Sequence, residues 1–140
     1  MAFVTVGYSG TPLAQKLGLK DGHIVTIVNE PPGFRALLDV GNDEVVFKQS
    51  LRSPLDIVIV FVTEEAEMRT RRDLMAKAIF PDGAIWVAWP KKASKVSTDI
   101  TEDTVRDVFL PHGLVDNKVC AIDETWSGLR VVWRKERRTR

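Results

Sequence analysis

Residues 90–94, with the sequence PKKAS, have the clearest capacity for binding chemistry in this chain of 140 residues. Lys91 and Lys92 carry ammonium groups and Ser94 adds a hydroxyl, directly after the apolar run AIWVAW. Cations beside hydroxyl donors can hold a phosphate or a carboxylate. The chain lacks the GxxxxGK[ST] pattern of a P-loop, so a solvated loop is the alternative interpretation. We therefore expect an anionic small molecule as the ligand.

Polar residues also follow two other apolar runs that have the character of buried strands. Asn29 and Glu30 come after residues 24–28, and Thr63 comes after residues 56–62. Ligands of open α/β sheets bind beyond the carboxyl ends of the parallel strands. We therefore expect one site at that edge, with Trp89 either at its mouth or packed in the core. The predicted ligand-binding residues are Asn29, Glu30, Thr63, Trp89, Lys91, Lys92 and Ser94.

The other reactive side chains form no recognisable catalytic or metal site. Asp123 and Glu124 lie in the segment DETWS, where acid–base catalysis and a capped turn are both open interpretations. Cys120 lies in an apolar alternation that is typical of a buried, inert thiol. His23 and His112 are far apart in sequence, so no metal site is expected. The sequence leaves open whether the protein is an enzyme, and it identifies neither a catalytic residue nor a cofactor.

The elements that position these residues follow from the hydrophobic pattern. Residues 24–28, 56–62 and 84–89 are nearly continuous apolar runs, which indicates strands that are buried on both faces of a sheet. Residues 64–79 repeat apolar side chains at helical spacing, so the stretch 56–89 predicts a parallel βαβ unit. The other predicted elements are short helices after Pro12 and near residue 34, a weak strand at 44–48, a helix at 102–109, and strands at 115–122 and 129–134.

Together these elements predict an α/β fold of three layers around a mixed sheet. The sheet is expected to be mostly parallel, and its last two strands form an antiparallel pair joined by DETWSG. Only residues 49–54 link the weak strand to the next one, which is too short for a helical crossover. The weak strand is therefore either antiparallel or a short edge strand that is reached by a bare loop.

Length and charge predict a single domain over residues 1–133 and a basic tail over residues 134–140. The whole chain has a formal charge of +1, and the tail holds five basic side chains and one acidic side chain. The rest of the chain then carries a formal charge of −3, so nucleic-acid binding is not expected. The tail is expected to be solvated and frayed. A protein partner that contacts the tail or a sheet edge is a second hypothesis beside the small-molecule ligand.

No segment approaches the roughly 18 apolar residues of a membrane span, so no membrane association is expected. The first residues, MAFVTVGYSG, also lack the basic region and long apolar run of a secretory signal. A cytoplasmic location is therefore expected.

The turn FPDGAI at residues 80–85 is similar to the PGG turn that often precedes the fourth strand of methyltransferases. With the order of the elements and the closing antiparallel pair, residues 24–134 resemble a methyltransferase-like Rossmann fold. This resemblance implies a divergent S-adenosylmethionine-dependent methyltransferase as an alternative function. Such enzymes carry a glycine-rich loop after their first strand. Here that segment is VNEPPGF, and the weak strand VVFKQ lacks the acidic residue that would hold a ribose.

Three longer phrases, GYSGTPLAQKLGL, DGAIWVAWPKKAS and VCAIDETWSGL, resemble those of a small bacterial family that is catalogued as a domain of unknown function (family 3052). The phrases are distributed over essentially the whole chain. This resemblance implies a cytoplasmic bacterial protein and brings no established activity with it.

Overall fold

The computed structural model describes residues 11–139, which form six strands and four α-helices. The strands are β1 (Ile24–Val28), β2 (Val46–Lys48), β3 (Ile57–Phe61), β4 (Ala84–Pro90), β5 (Leu114–Ala121) and β6 (Trp126–Trp133). The α-helices are α1 (Leu13–Lys16), α2 (Phe34–Leu38), α3 (Glu65–Ile79) and α4 (Glu102–Phe109). Short 3₁₀ helices cover Lys92–Ser94, Leu110–His112 and Lys135–Arg137. None of the helices within residues 11–139 has the length and apolar character needed to cross a bilayer.

The six strands form one mixed sheet in the order β2-β1-β3-β4-β6-β5. Strands β2, β1, β3 and β4 are parallel to one another, and β6 is antiparallel to both β4 and β5. The predicted fold class is therefore confirmed. The open question about the weak strand is also answered, because β2 is a short, parallel edge strand that a loop without helix connects to β3.

Helices pack on both faces of the sheet and create two apolar clusters. Side chains of α1 and α2 pack with Trp86 on one face, and side chains of α3 and α4 pack with Trp89 on the other. The two tryptophans point to opposite faces because they are three residues apart in a strand. The indole of Trp86 also donates a hydrogen bond of 2.8 Å to the Leu17 carbonyl, which fixes α1 on its face.

Helix α4 has the bounds that the sequence predicts, for a local reason. The Thr101 hydroxyl accepts a hydrogen bond from the Thr104 amide, and the Thr104 hydroxyl accepts one from the Thr101 amide. This reciprocal cap satisfies amides that have no partner within the helix. The side of the helix that carries Val105, Val108 and Phe109 is buried.

The last strand begins three residues earlier than the sequence predicts. Gly128 lies inside β6, where an added Cβ would come within 3.1 Å of Ile122 and 3.2 Å of Trp86. Glycine therefore allows the close packing of β6 on the sheet at a position that breaks the hydrophobic pattern. Asp123 closes the short β5–β6 turn, because its carboxylate accepts hydrogen bonds from the amides of Thr125 and Trp126, both at 2.8 Å.

The first part of the basic tail has a regular backbone conformation and exposed side chains. Residues Lys135–Arg137 form a 3₁₀ helix. The Arg138 guanidinium donates a hydrogen bond of 2.9 Å to the Trp133 carbonyl. This hydrogen bond ties Arg138 to the end of β6, and the frayed state of the tail stays a prediction.

Candidate ligand-binding site

The carboxyl ends of β1, β3 and β4 lie side by side, since these strands are parallel neighbours in the sheet. Neighbouring strands are about 5 Å apart. The structure therefore brings Asn29, Thr63 and Lys91 to one edge, as the topology of an open α/β sheet requires. We call this the carboxyl edge.

Asn29 joins the end of β1 to the end of β3. Its backbone is left-handed, with φ of 59°, and its side-chain amide donates to the Phe61 carbonyl at 3.0 Å and to the Glu67 carboxylate at 2.8 Å. The hydrogen bond from Asn29 lowers the pKa of Glu67, burial opposes this effect, and Arg71 at 3.0 Å adds to it. Asn29 thus clamps two strands and α3 together at the point where a glycine-rich loop would otherwise lie.

Glu30 forms an ion pair with Arg35. Both of its carboxylate oxygens accept from the Arg35 guanidinium, at 2.8 and 3.1 Å. The same guanidinium lies 4.0 Å from the centre of the Phe47 ring. The pair therefore fastens α2 to the loop after β1 and to the edge strand β2.

Thr63 is covered by the chain that returns from β4. Its carbonyl accepts a hydrogen bond of 2.6 Å from the Thr98 hydroxyl. The neighbouring Asp99 carboxylate accepts from the Glu65 amide at 2.8 Å, at the start of α3. The segment before α4 therefore folds over the end of β3.

The lysine segment after β4 forms a tight turn with unpaired cations. The Lys91 amide donates to the Thr125 carbonyl at 2.8 Å, and the Ser94 hydroxyl donates to the Lys91 carbonyl at 2.6 Å. Lys95 ends the turn with a left-handed φ of 60°. Within residues 11–139, no hydrogen bond or ion pair engages the ammonium groups of Lys91, Lys92 or Lys95. We call residues 91–95 the lysine turn.

An aromatic cluster lies beside the lysine turn at the carboxyl edge. Phe61 makes edge-to-face contacts with Phe34 at 4.9 Å and with Trp126 at 5.0 Å. Trp126 is paired with Pro90, so the cluster reaches the base of the turn. Trp89 itself is packed in the opposite apolar cluster with an exposed fraction of 7%.

Asp123 and Cys120 are the other reactive side chains to consider near this edge. Asp123 serves as the cap of the β5–β6 turn, which favours the second of the two interpretations that the sequence left open. Burial raises the pKa of the Cys120 thiol, and the charges of Lys16, Lys118 and Lys91 offset part of this rise. Within the described part of the chain, no group of three metal-ligating side chains comes together.

Two cavities lined by described residues open away from the carboxyl edge. One, with a volume of about 610 Å³, lies against α3 and is lined by Arg72, Phe80 and Trp133 among others. The second, of about 390 Å³, lies beside α1 and is lined by Lys16, Lys118 and Arg130 among others. Hydrophobic patterning gives no sign of either cavity, because each is formed by segments distant in sequence.

Comparison with solved structures shows the fold of this chain. A SAM-dependent methyltransferase from Aquifex aeolicus superposes with a TM-score of 0.57 at 15% sequence identity, covering 84% of this chain and 85% of that chain. A putative methyltransferase in complex with the Haloferax volcanii Trm112 methyltransferase activator gives a TM-score of 0.59 at 13% identity, with 87% of each chain covered. Magnesium protoporphyrin IX methyltransferase from Synechocystis PCC 6803, with bound SAH, gives 0.54 at 14% identity, covering 87% and 78%.

This is a methyltransferase-like Rossmann fold. At such identities the likeness concerns the architecture alone. No family model matches the chain, so its resemblance to a bacterial family of unknown function stays a prediction. A search of curated proteins likewise finds no match.

Sequence reasoning missed two contributors to the carboxyl edge. Lys95 was not among the predicted ligand-binding residues, although the spacing KKASK could have suggested it. The partnership of Asn29 with Glu67 spans 38 positions in the chain, and no local pattern indicates it.

Proposed function

We propose that this protein binds an anionic small molecule at the carboxyl edge, through the ammonium groups of the lysine turn. The observation that carries the proposal is the set of three ammonium groups, those of Lys91, Lys92 and Lys95, which follow a buried central strand and have no partner among residues 11–139. Ligands of open α/β sheets bind at this edge. The buried strands hold the residues that follow them in a fixed position, which favours binding.

The charges of the lysine turn favour an anion over a neutral ligand. Three like charges within five residues repel one another, and a bound phosphate or carboxylate removes this repulsion. Lysine binds phosphate as a compact point charge with three donors. The Ser94 hydroxyl is already committed to the turn, so we assign it the role of holding the turn in shape.

The left-handed backbone of Lys95 supports a binding role for this residue. A side chain in this conformation costs about 1–2 kcal/mol, and glycine would avoid the cost. Strained backbone of this kind is concentrated at ligand-binding positions. Lys95→Gly is therefore expected to leave the fold as stable as the wild type or more stable, and yet to weaken binding of the anion.

A divergent methyltransferase is the second candidate, because the solved structures with this fold include methyltransferases. The residues after β1 do not fit the cofactor in its usual place. Asn29 fills the switch point between β1 and β3 with a side chain that bonds to Phe61 and Glu67. Strand β2 ends in the exposed Lys48, where a carboxylate would hold a ribose. We therefore derive no methyl-transfer step.

The experiment that tests the proposal is a thermal-shift screen of the purified protein. The compounds are inorganic phosphate, nucleotides, phosphorylated metabolites, dicarboxylates, S-adenosylmethionine and S-adenosylhomocysteine. A ligand at 100 times its Kd adds about 2.7 kcal/mol to the free energy of unfolding, which is a measurable rise in Tm. We expect an anion from this set to raise the Tm of the wild type.

Variants then link the shift to the lysine turn. Lys91→Ala/Lys92→Ala should abolish the shift, whereas Lys77→Ala/Lys135→Ala removes the same charge away from the carboxyl edge and should preserve it. Loss of the shift in both double variants would indicate a general charge effect and refute the site. A shift with S-adenosylmethionine alone would favour the methyltransferase instead.

A protein partner and the cytoplasmic location remain predictions from the sequence. The Haloferax methyltransferase is in complex with an activator protein. Deletion of residues 134–140, the whole predicted tail, tests the tail version of this hypothesis. A partner captured equally well by the shortened chain would exclude the tail as the contact.

A further inference from the structure

We propose a second ligand site, distinct from the carboxyl edge, in the cavity of about 390 Å³ beside α1, where a phosphate ester of a small sugar or polyol would bind. The cavity lies at the amino ends of β3 and β4. This is the edge of the sheet opposite the one that carries the lysine turn. Its volume falls in the range of small-molecule pockets. We call it the amino-edge cavity.

Cations from three elements line this cavity. Lys16 ends α1, Lys20 lies in the following turn, Lys118 belongs to β5 and Arg130 to β6. Two of the lysines are held in place by backbone carbonyls, since Lys118 Nζ donates to Lys16 O at 3.1 Å and Lys16 Nζ to Ala121 O at 3.3 Å. These positive charges are therefore fixed before any ligand arrives.

Arg130 is the feature of the cavity that the fold alone does not explain. Its guanidinium is half-buried, and no hydrogen bond or ion pair to it exists among residues 11–139. It is also directly opposite Lys118 in the β5–β6 pair, and like charges at such positions destabilise a sheet. Burial lowers the pKa of Arg130, and the positive charge of Arg138 lowers it further. A planar, unpaired guanidinium suits a phosphate, which it can bind with two parallel hydrogen bonds.

The other groups that line the cavity can bind the hydroxyl groups of a phosphate ester. Asp56 and Asp82 line the cavity at the starts of β3 and β4. Carboxylates accept hydrogen bonds from hydroxyl groups but repel a second anion. His23 accepts the Lys20 amide on Nδ1 at 3.2 Å, so its Nε2 is a donor in the neutral ring. A ligand with one phosphate and several hydroxyls fits this cavity, because the cations can bind the phosphate and the carboxylates can bind the hydroxyls.

Calorimetric titration with ribose 5-phosphate tests the proposal. Inorganic phosphate and ribose, the two components of this ester, are titrated for comparison. The ester should bind more tightly than either part. Arg130→Gln should weaken binding about ten- to a hundredfold, which is the usual effect of losing a charge-assisted pair. The exposed Lys20→Gln should weaken it about threefold, and it serves as the test if Arg130→Gln does not fold. Lys77→Ala/Lys135→Ala removes two positive charges away from both sites and should leave the affinity unchanged, and Lys91→Ala/Lys92→Ala measures any contribution of the carboxyl edge.

The alternative outcomes overturn the proposal. No heat of binding at about 10 mM ester would exclude a site of useful affinity. Equal affinity of the ester and inorganic phosphate would exclude recognition of the hydroxyls. An affinity that depends on Lys91 and Lys92 and not on Arg130 or Lys20 would move the ester to the carboxyl edge, which would leave the first proposal intact and remove this one.

Discussion

Substitution of Gly83 tests how β4, the strand that precedes the lysine turn, packs against the neighbouring segments. It lies between α3 and β4, and an added Cβ would meet Leu55 O at 2.7 Å, Asp56 O at 2.8 Å and Ile79 Cβ at 2.9 Å. Two of these neighbours are backbone atoms, so no side-chain rotation relieves the clash. Gly83→Ala must therefore separate β4 from the segment that precedes β3.

The cost follows from this geometry. Overpacking in a tight core costs about 1–3 kcal/mol. The required shift also weakens the hydrogen bond of 2.9 Å from Ala84 N to Asp56 O, for about 1 kcal/mol more. We expect Gly83→Ala to lower the free energy of unfolding by about 3 kcal/mol, which corresponds to a fall in Tm of about 10 °C.

Urea denaturation followed by circular dichroism measures this loss, with Gly33→Ala as the matched control. Gly33 has φ of 80° and no atom within 4 Å of an added Cβ, so its cost is conformational alone, about 1–2 kcal/mol. A Gly83→Ala protein as stable as the wild type, or more stable than Gly33→Ala, would refute the packing described for the α3–β4 turn.

Two further predictions concern the supports of the sheet. Trp86→Phe should cost about 1–3 kcal/mol, because it leaves the buried Leu17 carbonyl without its donor, and an unchanged urea midpoint would contradict this. The lowered pKa of Glu67 adds stability at pH above its unfolded value of roughly 4.3, and this is lost as the pH falls through the folded value. Urea midpoints from pH 6 to pH 3 should therefore fall more steeply for the wild type than for Glu67→Gln, and parallel curves would show that the Asn29–Glu67 hydrogen bond does not act on stability.

Local patterns predicted those elements whose cause is local. The apolar run 24–28 became β1 with the predicted bounds, and the cap at Thr101 fixed the start of α4. Both depend on residues within a few positions of one another. The course of the weak strand β2 depended on hydrogen bonds to β1, a distant segment, and the sequence therefore left it open.

Contacts between distant segments explain what the sequence did not predict. Strand β6 starts at Trp126 because Gly128 packs against Trp86, which lies on another strand. Arg130 lines a cavity together with α1 and with the segments that precede β3 and β4, all of them distant from it in the chain. The convergence of strand ends at the carboxyl edge was predictable, since parallel topology alone dictates it. The partners of Asn29 were not predictable, because Phe61 and Glu67 lie 32 and 38 positions away in the chain.

Chemical-shift mapping by ¹H–¹⁵N NMR, with the anion that raises the Tm most, tests the carboxyl-edge proposal most directly. The largest changes are predicted for the amides of Lys91, Lys92, Ser94 and Lys95, with smaller changes at Thr63 and Thr125. Lys91→Ala/Lys92→Ala should reduce these changes, and Lys77→Ala/Lys135→Ala should not. Changes confined to Lys16, Lys118 and Arg130, with the lysine turn unaffected, would contradict the proposal and assign the anion to the amino-edge cavity.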